Sequence, residues 1–567
     1  MPPSPHVSFA SGDGPATVHG LVAWHFRTSA WRVAGLAALS LLLAASAVLP
    51  SIVIARAVDA AIGGRLDAWA ALIAGGGIAI LAAWDAGLTL ARRRLAIVTE
   101  IGVRGRAAKE HFRACVRLPM RDYAGGNEAA LIRSFDDLDR VVEFVASRSV
   151  ELLAEALIAA AAVTVMLWVE WPLALVFILL AVLSLATATR LSQAAKESLD
   201  AWLPVRDSRF GYIVECVTSM LTIKTLSAHA HVVRPFLREQ ELEQERLRDW
   251  RNRTALAESV TRFWGMAVPG IGIVCGAIML IGGALTAGEL LLFLSLSSGL
   301  GGALGALQSH LREWQEARAA LARMRSLGIG MPEALEDEAV DAPTTPYLRI
   351  DSLGFRHLGA RQDTLDDLRL DIAAGEHVAI VGRSGEGKTT LAHLLARLHD
   401  LARGTIAVGE GPAMTLDRHR RAVLLVPHVT AVFNASLRDN VRLWDETVDD
   451  AAVWRALDLA ELRVQAAAWE GGLDAPLGSR GNPLSAGQQQ RLGLARAFTR
   501  RPSVLILDEA TSAMDRLTET DVLRNVRAFM RGHVLIVITH REAVAATFDR
   551  VLRVERGHVV MEPPSPG

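Results

Sequence analysis

"VGRSGEGKTT", Val381 to Thr390, packs three glycines into six residues and closes with a lysine and two threonines. The apolar run "HVAIV" (His377 to Val381) leads into it and "TLAHLLARL" (Thr390 to Leu398) leads out. The stretch therefore reads as strand, tight turn, helix. Gly382, Gly385 and Gly387 let successive backbone N–H groups curl around phosphate oxygens, and the helix opening at Lys388 offers them its positive end. In this pattern Lys388 neutralises β/γ-phosphate charge and Thr389 ligates magnesium, while Ser384 and Thr390 complete the residues expected around the phosphates.

A second apolar run, "SVLILDEA" (Ser503 to Ala510), ends in two carboxylates, as expected at the carboxyl end of a buried parallel strand. Asp508 is placed to hold Mg2+ through water, and Glu509 to orient and polarise an attacking water. The expected architecture of this half is thus an α/β P-loop nucleotide-binding domain.

The half that precedes it is different in kind. The chain has 567 residues, 51% of them hydrophobic, too many for one compact core. Nearly all its uninterrupted apolar stretches fall before Gly328. Six match the length needed to cross a bilayer core of about 30 Å: Trp31 to Ala55, Trp69 to Leu90, Leu152 to Val169, Pro172 to Thr189, Phe263 to Gly283 and Glu289 to Leu307. The chain is accordingly expected to be multidomain, with a segment 1–30, an all-α six-helix transmembrane domain 31–327, an acidic, Pro-bearing linker 328–346 and the nucleotide-binding domain 347–567.

About a dozen Lys and Arg lie between the second and third spans, beginning at Arg92 to Arg94, and a similar number between the fourth and fifth. The short turns opposite hold Arg56 and Arg65. The positive-inside rule puts both long connections and both termini in the cytoplasm. Their amphipathic patterning extends the membrane helices outward, with breaks near Pro119 to Gly126 and Cys216 to Thr222. Asp85 and Glu155 lie within spans but near their ends; they either line a substrate path or reach water.

Net charge is -1, which gives no global field for nucleic acid. Cys115, Cys216 and Cys275 are far apart, without metal or disulfide spacing, and read as structural thiols. The first thirty residues show no basic-then-apolar leader, so no cleaved signal is expected.

Between the two phosphate-site strands lies "NPLSAGQQQRLGLARA" (Asn482 to Ala497). Here the chain resembles the ATP-binding cassette family. "LSAGQ" (Leu484 to Gln488) is similar to the family signature, with Ala486 where a glycine is usual. "SAMD" (Ser512 to Asp515) resembles the D-loop, and His540 in "VLIVITH" takes the place of the switch histidine. The fused six-span region resembles the exporter branch. The resemblance implies a dimer in which Lys388 and Thr389 of one half-transporter and Ser485, Gly487 and Gln488 of the other hold one ATP with Mg2+, Asp515 serving the same interface. It implies ATP-driven closure transmitted through the cytoplasmic turns near Leu118 to Gly125 and Val214 to Thr222.

Two positions depart from the pattern. His428 in "LLVPHVTAVF" stands where the Q-loop glutamine is usual, and His357 in "LGFRH" stands where an aromatic residue stacks on adenine. Both changes keep ATP binding feasible, since imidazole can stack and hydrogen-bond. Two readings stay open: a working ATPase, with Glu509, His540 and His428 at the reacting end, or a slowly hydrolysing partner subunit of a heterodimer. The six spans argue against a soluble family ATPase.

"LTIKTLSAHAH" (Leu221 to His231) and "LTAGELLLFLSL" (Leu285 to Leu296) are similar to segments of bacterial peptide and bacteriocin exporters, which ranks a peptide cargo ahead of lipid, drug or thiol compounds. No protease-like segment is read ahead of the spans, so peptide maturation would occur elsewhere. The expected location is the bacterial inner membrane, with the lipid bilayer and a second half-transporter as partners and no nucleic acid.

Overall fold

The computed structural model describes residues 30–561 apart from 66, 124–127, 328–346, 358–359, 361, 410–413, 479–482 and 556. The expected N-terminal segment, except Ala30, and the expected linker lie outside the described residues, as does part of the first predicted turn. The chain divides into two compact units, residues 1–116 with 128–331, and residues 117–127 with 332–567.

The first unit is helical. α1 spans Ala30–Ile62, α2 Ala68–Val116, α4 Glu128–Glu143, α5 Ser149–Val169, α6 Trp171–Thr218, α7 Met220–Thr225, α8 His229–Ile281 and α9 Ala287–Ser326; the one-turn α3, Met120–Tyr123, is grouped with the second unit. A π-helical turn, Phe144–Arg148, joins α4 to α5. Six of these helical stretches are long and apolar enough to cross a membrane. In α2 only 6% of the apolar window is buried inside the protein. Side chains such as Leu72, Ile73 and Ile80 are exposed, and lipid is the solvent that makes such a surface stable. α2, α6 and α8 have 49, 48 and 53 residues. At 1.5 Å per residue each is longer than about 70 Å, well over twice the bilayer core, so each runs far beyond the membrane as the amphipathic continuations predict.

The long helices are held together by side chains. Along the α6–α8 seam, Trp264 Nε1 donates to Thr187 Oγ1 at 2.9 Å, Trp202 stacks on Trp250 with centroids 5.3 Å apart, and Tyr212 Oη donates to the Val232 carbonyl at 2.8 Å. Asp137, buried on α4, takes a two-pronged ion pair from Arg323 on α9. The second predicted break is observed as Ser219 between α6 and α7 and the turn Leu226–Ala228 before α8.

The start of α9 explains one stretch compared above with peptide exporters. Thr286 and Glu289 form a reciprocal capping box, and Asp59 accepts from Thr286 Oγ1 and the Gly288 amide, both at 2.8 Å. A side chain at Gly288 would meet the Ala55 carbonyl at 2.1 Å. "LTAGE" is therefore helix-start and packing chemistry, and its residue types are accounted for without any cargo.

The second unit is α/β. A six-stranded sheet has the order β5–β6–β7–β3–β8–β9, formed by Val423–Val426, Val504–Asp508, Val534–Ile538, His377–Gly382, Arg550–Glu555 and His558–Met561; all pairings are parallel except β8 with β9. β1 (Leu348–Phe355), β2 (Leu365–Ile372) and β4 (Arg403–Val408) form a separate antiparallel sheet. β6 and β7 are buried throughout, the continuous apolar pattern of strands covered on both faces. Side chains alternate between two cores: Leu505, Leu507, Leu535 and Val537 enter one, Val504, Ile506, Val534 and Ile536 the other. The helices of this unit include α10 (Lys388–Leu395), α11 (Leu416–Ala422), α12 (Leu437–Arg442), α13 (Asp450–Leu459), α14 (Arg463–Ala468), α15 (Ala486–Phe498), α16 (Arg516–Phe529) and α17 (Glu542–Ala545).

Candidate nucleotide site

β3 ends at Gly382 and α10 starts at Lys388, so the loop between them is the strand–turn–helix read from sequence. A Cβ at Gly382 would meet the Val554 carbonyl at 2.6 Å, and one at Gly387 would press on Thr364 and Leu365 at 3.1–3.2 Å. Gly387 also has φ +97°, and no side chain caps α10 there. The first amides of α10 are thus left for an anion, and the cradle fits phosphate groups. Lys388 is buried, and its Nζ donates to the carbonyls of Gly382 and Arg383 at 2.9 and 2.7 Å. Burial pulls its pKa below the usual lysine value, while Glu509, Glu386 and Asp508 pull the other way.

Sequence reasoning missed Glu386. Its Oε2 accepts from the Arg383 amide at 2.9 Å, placing a carboxylate on one of the loop's own N–H groups. The signal was available, since an acidic residue inside a phosphate-binding loop is electrostatically out of place.

Asp508 lies at the end of β6, buried, with the Thr389 hydroxyl hydrogen-bonded to its carboxylate. Burial raises its pKa, with the Thr389 bond opposing and Glu509 adding to the rise. Two hard oxygen donors beside a phosphate cradle suit magnesium, which takes one or two protein ligands and completes its shell with phosphate and water. Among the described residues no group of three or more His, Cys, Asp or Glu could hold a metal alone.

Glu509 follows Asp508, and His540 follows β7, the strand paired with β6. The carboxylate Oε1 and the imidazole Nε2 are 2.8 Å apart. The Glu509 backbone has φ +51°, a strained value for a residue with a side chain.

His428 is exposed, in the loop after β5. Its Nδ1 lies 3.4 Å from the Glu509 carbonyl oxygen and 3.3 Å from Ser512 Oγ. A carbonyl only accepts, so Nδ1 carries the proton in that contact and Nε2 is the ring's acceptor. His357 is exposed, its Nε2 3.1 Å from Thr390 Oγ1, and it meets Phe355 edge-on. His399 and His393 continue this aromatic chain behind it.

Three of the predicted nucleotide residues are also helix caps. Ser485 and Gln488 form a reciprocal capping box on α15, and Asp515 accepts from the Leu517 and Thr518 amides to cap α16. Gly487 packs under the Ala513 carbonyl, where a Cβ would stand 2.9 Å away. The geometry thus brings Gly382, Gly385, Gly387, Lys388, Thr389, Asp508, Glu509 and His540 to one end of the sheet. Ser485 heads a different helix, α15, whose first amides are already met by its own capping box. A further link was not foreseen: Arg541 pairs with buried Glu519 and donates to the Ser512 carbonyl at 2.8 Å, tying the residue after His540 to the segment after Glu509.

Comparison with known proteins agrees with both halves. Residues 34–304 match the family model of the ABC transporter transmembrane region and residues 365–512 that of the ABC transporter. The chain is 27% identical over 456 residues to the cyclolysin secretion/processing ATP-binding protein CyaB of Bordetella pertussis, covering 78% of this chain but only 63% of that protein. It is 28% identical over 474 residues to the ATP-dependent lipid A-core flippase of Bordetella pertussis, covering 82% of this chain and 74% of the relative. The structure of a bacterial Atm1-family ABC exporter with ATP bound superposes with a TM-score of 0.82 at 23% identity, covering 93% of this chain and 95% of that one, a likeness in fold.

Proposed function

This chain belongs to the ABC transporters, with a transmembrane region and a nucleotide-binding domain fused in one polypeptide, and from that premise we propose that it is an ATP-driven exporter acting as a dimer. The observation that carries the reading is the contact of Glu509 with His540 beside Lys388, Thr389 and Asp508. A base, its orienting imidazole, a phosphate-binding lysine and a magnesium pair are the parts that phosphoryl transfer to water needs.

The residues divide the work as follows. The loop amides and Lys388 bind the β- and γ-phosphates, and His357 offers a ring for the adenine. Magnesium held by Thr389 and Asp508 would neutralise developing phosphate charge. Glu509 accepts the proton of the attacking water, and His540 fixes the carboxylate. Ser485 and Gly487 of a second half-transporter close the site, with Gln488 and Asp515 shaping the two helix starts. Separation of the nucleotide units after hydrolysis resets the six-span region.

The two relatives are named for cyclolysin secretion/processing and as a lipid A-core flippase. We keep a peptide as the leading cargo and lipid, drug or thiol compounds as alternatives, and place the protein in a bacterial inner membrane with its long helical connections and both termini on the cytoplasmic side. Reconstitution in liposomes, with phosphate release read against panels of peptides, lipids and amphiphilic drugs, tests this. Stimulation by one class that vanishes in Glu509→Gln supports it; hydrolysis untouched by that substitution overturns it.

His428 and Ala486 favour a second reading, a partner subunit that binds ATP and hydrolyses slowly. The isolated chain would then show nucleotide binding without turnover, and turnover would appear on adding a second half-transporter.

A further inference from the structure

Gln490 closes the run "GQQQ" (Gly487–Gln490) and lies in the first turns of α15. Its side chain is 3% exposed, yet every polar group on it has a partner. Nε2 lies 3.2 Å from the Glu509 carbonyl oxygen, 3.1 Å from Ser512 Oγ and 3.4 Å from the His428 carbonyl oxygen. Oε1 accepts from the Ala513 amide at 2.9 Å. One buried amide thus joins three segments, the loop after β5, the end of β6 and the turn leading to α16.

The strained residue in that group is Glu509. A left-handed backbone at a residue with a side chain is strained, and it persists where the surroundings over-determine it. Here the Glu509 amide donates to the Ile538 carbonyl at 3.0 Å. Its carbonyl accepts from the Ser512 amide at 3.2 Å and from Gln490, with His428 Nδ1 at 3.4 Å. Of these partners, Gln490 alone sits on α15, the helix headed by Ser485.

We propose that Gln490 is a positioning residue for the hydrolytic carboxylate. By holding the Glu509 carbonyl and the Ala513 amide, it fixes the backbone turn that delivers the Glu509 carboxylate to His540. Because it does so from α15, the aim of Glu509 depends on how that helix is seated. A nucleotide engaged at the start of α15 is therefore felt at the hydrolytic residue of the same chain through one amide group. This inference rests on the exporter reading for its catalytic consequence, and on the geometry alone for its structural one.

The test uses the full-length purified chain carrying Gln490→Glu, which keeps the shape and the acceptor for Ala513 but removes the donor. The expected result has two parts. Amide hydrogen exchange across residues 509–514 rises on the order of tenfold. The kcat for ATP falls on the order of tenfold while KM stays within about twofold, the signature of a lost transition-state contact. Should that variant fail to fold, Ser512→Ala removes one of the acceptors from the outside and is expected to raise exchange over the same residues, with a smaller fall in kcat. Exchange at 509–514 that matches wild type in a folded variant overturns the proposal, as does a KM that rises in step with the loss of kcat. If wild type shows no hydrolysis sensitive to Glu509→Gln, the exporter reading falls, and the exchange measurement still decides whether Gln490 holds the turn.

Discussion

Glu509 Oε1 and His540 Nε2 lie 2.8 Å apart because β6 and β7 are adjacent, parallel and in register, with Asp508 opposite Ile538. Two residues 31 positions apart in the chain are thereby set side by side at the carboxyl end of one sheet. Glu509→Gln keeps the shape and removes the proposed base. Turnover is expected to fall on the order of 10²-fold or more, the range for a positioned general base, while fluorescent-nucleotide affinity stays within about twofold. His540→Ala leaves the carboxylate charged but unheld, and its loss should also appear in kcat rather than KM. Phosphate release and nucleotide titration on the same samples check both; equal turnover in Glu509→Gln and wild type rejects the assignment.

Glu386 gives the loop a competitor for its own ligand. Its carboxylate holds the Arg383 amide and lies close enough to Lys388 to act on its charge. Glu386→Ser removes a negative charge from the place where phosphates arrive. Nucleotide affinity is expected to rise about two- to fivefold, the scale of one surface-type charge contact at a helix start. Lys388→Ala works the opposite way, weakening binding by on the order of tenfold or more. A titration in which Glu386→Ser binds more weakly than wild type would show that the carboxylate braces the loop instead.

If His428 holds the Q-loop position proposed for it, it offers a ring nitrogen where glutamine would offer an amide oxygen. With Nδ1 committed to the Glu509 carbonyl and Ser512, Nε2 is the acceptor left for a metal ion or its water. Nitrogen ligands favour later first-row cations over magnesium. The ratio of turnover in Mn2+ or Co2+ to that in Mg2+ is expected to be higher in wild type than in His428→Gln. An unchanged ratio would place His428 outside the metal's reach.

The readable part of this molecule was local chemistry. The glycine-rich turn between β3 and α10, the carboxylates at the end of β6 and the six long apolar helices are each visible within about twenty residues, because each is set by particular side chains at short fixed spacing. What stayed hidden depends on contacts that cross the chain. Gln490 looks like a polar residue on a helix start until the fold brings Glu509, Ser512 and Ala513 around it. Arg541 and Glu519 are 22 positions apart and meet only once β7 and α16 are in place. The antiparallel sheet of β1, β2 and β4 was equally illegible, since its registers shift at Ile350, Leu353 and Asp351. Conversely, Ser485, Gln488 and Asp515 were read as nucleotide residues, and their capping bonds show that helix starts alone would select the same residue types.

Three histidines of the nucleotide unit bear on its acid stability. His419 on α11 is buried and its Nε2 donates to the Leu395 carbonyl at 2.7 Å; burial lowers its pKa below 6.5, with the Leu395 bond opposing and Arg397 and Arg420 adding. His393 and His399 are likewise lowered, burial leading in each, with the like charge of neighbouring histidines adding and Asp508 or Asp400 opposing. Each ring stays neutral in the folded unit at a pH where the unfolded chain has begun to bind a proton. The unfolded state then carries more protons, so stability is full above the ordinary value of 6.5 and is lost as pH falls toward the lowered native values. Asp508, with its raised pKa, acts with the opposite sign but is one group against three. The thermal midpoint of the nucleotide unit is therefore expected to drop between about pH 7.5 and about pH 5.5, and His419→Gln, which keeps a donor for Leu395 without a titrating ring, should flatten that dependence. A midpoint that holds steady or rises on acidification would mean that these rings take up protons in the folded state as readily as in the unfolded one.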